Sequence, residues 1–252
     1  MEDFNTEKPA YEKRFQIPED EEIQERLKGV QHTVKAFQRE YPEALSFSMY
    51  GSMVKDTATL ESDVDGTLFI DTTPTGDEEL DESVLERLKS GEYLSTFKSD
   101  LQERLGLTEE QVGKDVKLET ISEQDVSTAA EKFILSNDLY TEEKKLWEST
   151  RRDTGMTEEG MFGEVKVYEY EGEEPVAPDL PNNIKAMFNM DVGGGVQKYR
   201  EQFINSLEQL ESEKAKDICR SISAYISFTE GGKRKEAAKL PNSFEEFKKR
   251  YT

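Results

Sequence analysis

Asp63 and Asp65 stand two apart in the run Ser62-Asp63-Val64-Asp65-Gly66-Thr67-Leu68-Phe69-Ile70-Asp71. In an extended chain, side chains two apart share a face. Two carboxylates held that way can share divalent cations through hard oxygen ligands. A pair of such ions, about 4 Å apart, clamps the attacking and leaving oxygens of a phosphoryl displacement. Upstream lies Gly51-Ser52, at the end of the alternating run Leu45 to Tyr50. A glycine there lets the backbone come close to a phosphate, and its N–H groups and the Ser52 hydroxyl can bind the phosphate oxygens. Lys55 follows as a candidate for neutralising phosphate charge.

These residues need elements to hold them. Ile23, Leu27, Val30, Val34 and Phe37 recur at helical spacing and predict an amphipathic helix over 19–40, ended by Tyr41-Pro42. Residues 45–50 and 64–71 read as strands, with a polar segment or short helix over 53–62. Helices are expected over 82–90, 93–105 and 123–152, and strands over 116–121 and 165–170, the last as an edge strand. Residues 1–17 read as a loose lead-in. Pro175, Pro178 and Pro181 among acidic residues mark a linker. Gly193-Gly194-Gly195 precedes a helix carrying Tyr199, Phe203, Ile204 and Leu207. It lacks a following Lys-Ser/Thr, so it reads as a turn rather than a phosphate loop.

Glycine-serine, ten intervening residues and then Asp-x-Asp resembles the signature of the DNA polymerase β-like nucleotidyltransferases. Gly51, Ser52, Ser62, Asp63 and Asp65 match it in type and spacing. The resemblance covers 45–71 well and 115–121 loosely. Residues 198–203 and the C-terminal LPNSFEEFKKRY are similar to the helical tail of small members. The resemblance implies an α+β fold: a small mixed β-sheet flanked by helices, followed by a mostly helical C-terminal region. It also implies Mg2+, as two ions, and transfer of a nucleoside monophosphate from an NTP, such as ATP, to a hydroxyl acceptor. The family's third carboxylate falls on a later strand. Glu119 is the first candidate, as metal ligand and as the group that deprotonates the acceptor, and Asp115 is the second.

Gly66 stands where that family usually has an apolar residue, and it creates a rival. Asp63-Val64-Asp65-Gly66-Thr67 also resembles the first motif of haloacid dehalogenase-like phosphatases. In that reading Asp63 is a covalent nucleophile and Asp65 the acid/base. Such a motif should end a buried apolar strand, whereas residues 55–62 are polar and the apolar run comes afterwards. A third reading is a nucleotide-binding module without turnover.

The composition limits partners. A net charge of −22 repels long nucleic acids and favours a small-molecule or protein acceptor. The densest basic stretch, Lys233 to Arg250, reads as a solvated helix end. One cysteine, Cys219, excludes an internal disulfide and fits a reducing, cytoplasmic setting. With one histidine, His32, a structural zinc site and a histidine-based triad are not expected. No apolar run is long enough to span a membrane, and the N-terminus lacks the apolar stretch of a signal peptide. The expected division is a nucleotidyltransferase-like α+β domain over 1–175 and a helical region over 176–252.

Overall fold

A computed structural model describes Phe15 and residues 19–54, 57–113, 115–160, 163–207 and 244–251. The chain forms two compact units. One comprises residues 1–130 and 181–252, and the other Glu131–Leu180.

The larger unit is α+β. Its helix α1 (Glu21–Glu40) starts where the Asp20 carboxylate accepts hydrogen bonds from the Glu22 and Ile23 N–H groups. That satisfies two of the free donors of a helix start and places negative charge at the positive end of its dipole. The apolar stripe expected from spacing, Ile23 to Phe37, is the buried one. Strands β1 (Ala44–Met49), β2 (Gly66–Asp71), β3 (Val116–Ile121) and β6 (Met190–Val192) form one mixed sheet in the order β3-β2-β1-β6. β1 runs antiparallel to β2 and β6, and β2 runs parallel to β3. Parallel neighbours need a long crossover. Helices α2 (Glu78–Ser90), α3 (Glu92–Leu105) and α4 (Glu109–Gly113) supply it.

Side chains alternate along β2. Val64, Leu68 and Ile70 enter the apolar core with Phe47 and Met49 of β1, α1, and Tyr93, Phe97 and Leu101 of α3. Phe97 lies edge-on to Phe37, with ring centroids 5.2 Å apart. Gly66 belongs to this core-facing set. A Cβ there would stand 2.3 Å from Phe47 Cζ, so the ring occupies the space a side chain would need. That is why glycine stands where an apolar residue is expected.

After the second unit, the chain returns through α6 (Asn182–Ala186), β6 and α7 (Gln197–Leu207). The glycine triplet makes the turn into α7. A Cβ on Gly195 would lie 2.2 Å from the Leu45 carbonyl oxygen, so only glycine fits where this turn passes β1. α7 is tied to the end of β2. Tyr199 Oη donates to Asp71 at 2.7 Å and Lys198 Nζ to the same carboxylate at 3.1 Å. α8 (Phe244–Tyr251) buries Phe247.

The smaller unit holds the second part of α5 (Glu123–Ser149) and a hairpin of β4 (Arg152–Gly160) and β5 (Gly163–Glu169). The expected strand at 165–170 exists, but it pairs with β4 in a sheet of its own rather than at the edge of the main one. Nearly all of β4 is exposed. It therefore carries no apolar alternation, the signal that would have predicted it. Trp147 stacks on Tyr170 with centroids 3.7 Å apart.

The compact units meet at 130/131 and 180/181, beside the expected division at 175/176. The proline-marked linker does meet a boundary near 180, but residues beyond it are not only helical. They give β6 to the main sheet. Phe15, within the expected lead-in, packs against the core. Lys55, Asp56, Cys219 and most of the basic stretch from Lys233 lie outside the described residues. No helix among the described residues is long and apolar enough to cross a membrane.

Two outcomes test this architecture. Gly66→Ala should destabilise the chain by about 1–3 kcal/mol through overpacking against Phe47, read from urea unfolding midpoints at constant slope. Asp71 supplies the second. Burial pushes its carboxyl up, but hydrogen bonds from Thr73, Tyr199 and Lys198 outweigh this and the net direction is down. A lowered folded-state value contributes stability above the unfolded value, and that stability is lost as pH falls. Asp71→Asn should therefore cost about 1 kcal/mol near neutrality. The gap from wild type should close as pH drops below about 4.

Candidate active site

The loop before β2 is pinned from two sides. Arg26 on α1 donates to the carbonyl oxygens of Ser62 at 2.8 Å and Leu60 at 2.5 Å. Gln111 on α4 donates from Nε2 to Leu60 O at 3.1 Å, and its carbonyl accepts from Val64 N at 2.9 Å. Ser62 closes the turn itself, its Oγ accepting from Thr59 N at 2.8 Å. Residues 57–62 carry no strand. Val64 is buried, which leaves Asp63 exposed and Asp65 half-buried on either side of it, at the start of β2. The alternation that seats Val64 and Leu68 in the core turns Asp63, Asp65 and Thr67 to the opposite side.

Gly51 meets Asp65 directly. Tyr50 N donates to Asp65 O at 3.1 Å, which draws the end of β1 against the start of β2. Gly51 has φ +75°, and a Cβ on it would stand 1.8 Å from Asp65 Oδ2. The Asp65 carboxylate thus lies over the Gly51 Cα, a close approach that only glycine permits. Ser52 opens a short 3-10 turn, Ser52–Val54, whose Met53 and Val54 are buried.

The face of the sheet that carries Asp65 is polar. Lys117, Thr67, Ser48 and Asp191 are cross-strand neighbours in one row over all four strands. The next row holds Glu119, Phe69 and Ser46. Ser46 and Ser48 are fully buried; Ser46 lies against the Asp191 carboxyl, and the Ser48 hydroxyl has no hydrogen-bond partner among the described residues. A cleft of about 250 Å³ opens over this face, lined by Tyr50, Thr67, Lys117, Glu119, Asn182, Ala186 and Asn189. Tyr50 Oη spans its mouth and donates to Asp115 O at 3.1 Å.

Register separates the two candidates for a third carboxylate. Glu119 pairs with Phe69, four residues beyond Asp65. At about 3.3 Å per residue, that is roughly 13 Å along the strand. Asp115 instead precedes Val116 just as Asp65 precedes its partner Gly66, and Asp115 O accepts from Gly66 N at 3.0 Å. Glu119 therefore lines the cleft and does not stand beside the aspartates. Among the described residues, no three His, Cys, Asp or Glu side chains are gathered into a group that could hold a metal ion. Asp63 and Asp65 still present the right donor chemistry for Mg2+, which protein sites commonly bind through one or two carboxylates completed by substrate phosphates.

Glu119 is displaced in acidity. Burial pushes its carboxyl up, and the neighbouring Lys117 charge only partly opposes this. Asp191 is pushed up too, by burial, against the pull of Arg200. Tyr50, Thr67, Lys117, Asn182 and Asn189 were not evident from the sequence as site residues. Thr67 was within reach, since it continues the Asp63–Asp65 alternation. Asn182 and Asn189 come from a part of the chain more than a hundred residues away, with no local signal. No known protein family, curated protein or solved structure matches the chain.

Two variants probe this geometry. Gly51→Ala places a side chain at positive φ and against Asp65, and should cost about 1–3 kcal/mol by thermal or urea unfolding. Glu119→Gln tests the burial of a charge. A folded-state value raised above the unfolded one adds stability only at low pH, and that stability is lost as pH rises through the carboxylate range. The wild type should lose stability relative to Glu119→Gln across that range, and the two should converge in acid.

Proposed function

We propose that the chain is a Mg2+-dependent nucleotidyltransferase that moves a nucleoside monophosphate from an NTP to a hydroxyl acceptor. The observation that carries this reading is the Asp65 carboxylate over Gly51 just before β2, two residues from Thr67, which lines a polar cleft. Glycine and aspartate that resembled a family signature by spacing are in contact in space.

In this reading Asp63 and Asp65 hold the metal, with phosphate oxygens completing its shell. The bound ion would neutralise phosphate charge and polarise the α-phosphate. Gly51 lets the triphosphate approach the backbone, and Ser52 offers a hydroxyl beside it. Asp115, next to Asp65 across the β2–β3 pair, is placed to take the acceptor proton. Glu119, further along β3, binds the body of the acceptor rather than a metal. The attacking oxygen forms a bond to the α-phosphorus, the bond to the leaving oxygen breaks, and pyrophosphate departs.

The phosphatase reading is less well supported. Its nucleophile should stand at the carboxyl end of a buried strand, whereas Asp63 and Asp65 precede β2 and follow a segment with no strand. The flanking sheet is also mostly antiparallel rather than doubly wound.

Binding and chemistry can be tested separately. A ligand present at 100 times its dissociation constant adds about 2.7 kcal/mol of stability. Thermal unfolding with each NTP and Mg2+ should show a metal-dependent rise in the wild type and none in the Asp63→Ala, Asp65→Ala double variant. No rise with any NTP in the wild type would overturn the reading, and a phospho-enzyme formed at Asp63 would establish the phosphatase.

A further inference from the structure

We infer that the acceptor is a small, neutral, polyhydroxylated molecule of monosaccharide size, bound in the cleft over the polar face of the sheet. This inference rests on the nucleotidyltransferase reading and adds the acceptor class to it.

Size comes first. At about 250 Å³ the cleft is just below the range of drug-sized ligand pockets, about 300–1,000 Å³. It suits a compact molecule.

The lining chemistry comes second. Asn182 and Asn189 each offer both amide donors and an acceptor, Thr67 and Tyr50 offer hydroxyls, Glu119 offers acceptors and Lys117 donors. Asn189 is almost fully buried, so its amide pays for its burial only through hydrogen bonds. Mixed donors and acceptors spread around a small cavity match a ligand with a hydroxyl on most of its carbons. An apolar ligand would offer nothing to the buried Thr67 and Asn189.

Charge comes third. A nucleic-acid end is held by several cations along its backbone and by aromatic platforms for its bases. The cleft has one lysine and one tyrosine, and Glu119 stands two residues from that lysine in a chain of net charge −22.

The geometry orders the cleft. Thr67 is two residues from Asp65, and Glu119 lines the cleft two residues further along the same face. A sugar held between Asn182, Asn189 and Glu119 would present one hydroxyl toward Asp65. The oxygen of that hydroxyl attacks the α-phosphorus, its proton passes to Asp115 and then to solvent, and pyrophosphate leaves. The product is a sugar nucleoside monophosphate diester.

The test uses the full chain with the NTP that stabilises it best, Mg2+, and three sets of acceptors: neutral monosaccharides and inositol, a single-stranded RNA oligomer, and the protein itself. Pyrophosphate release and product mass are read. A sugar or inositol should stimulate release and gain one nucleoside monophosphate. Asn182→Ala and Asn189→Ala should each raise the acceptor KM by about tenfold or more with the NTP KM little changed. Circular dichroism confirms that each variant is folded. Labelling of RNA or protein alone would overturn the acceptor class while leaving the nucleotidyltransferase reading intact, as would sugar transfer indifferent to both asparagines. If no NTP binds, the reading beneath falls, and saturation-transfer NMR with the same sugars then decides the cleft. Signals abolished by Glu119→Ala would sustain it as a polyol site, and their absence in the wild type would overturn it.

Discussion

The two-residue alternation of β2 is the constraint on which the rest depends. Val64, Gly66, Leu68 and Ile70 face the apolar core, and Phe47 fills the space over Gly66. A slip of one residue would turn Asp65 toward the apolar core and take Leu68 and Ile70 out of it. Sheets with one buried face resist such slips strongly. The apolar core therefore fixes which way Asp65 and Thr67 face.

The opposite face is unusual for a covered sheet surface. Ser46, Ser48 and Thr67 are buried there, with Asp191 and Arg200 close by. Burying polar groups costs stability unless they find partners. Charge anchors at the other end of β2 offset part of this. Asp71 gathers Tyr199, Lys198 and the Thr73 N–H, and Glu43 accepts from Arg87 and Tyr93. β2 thus ends on a carboxylate paired with Tyr199 and Lys198.

Much of the main unit was legible because its elements bury one face. α1, β1, β2, α2, α3 and β3 show apolar periodicity and stand within a few residues of their expected places, whereas α4 was not expected. Elements without a buried face were not legible. β4 is exposed on both sides, and β6 is three residues long. The pairing of β6 with β1 joins residues about 140 apart, which no local pattern encodes. The site divides in the same way. Gly51 and Asp65, singled out by their spacing, meet because Tyr50 N pairs with Asp65 O where β1 ends and β2 begins. Glu119 was chosen by residue type on the correct strand, and only the β2–β3 register shows that it lies along the cleft while Asp115 stands nearer Asp65. Asn182 and Asn189 reach the cleft through the fold alone.

The central claim is that the Asp65 side of the start of β2 holds a metal-bound triphosphate. Backbone amide NMR with ATP and substoichiometric Mn2+ tests it most directly, because a paramagnetic ion broadens the amides nearest to it. The account predicts selective broadening at residues 51–54 and 63–67, with 71–75 at the far end of β2 unaffected. Broadening centred on 71–75, or spread evenly over the acidic surface, would contradict it.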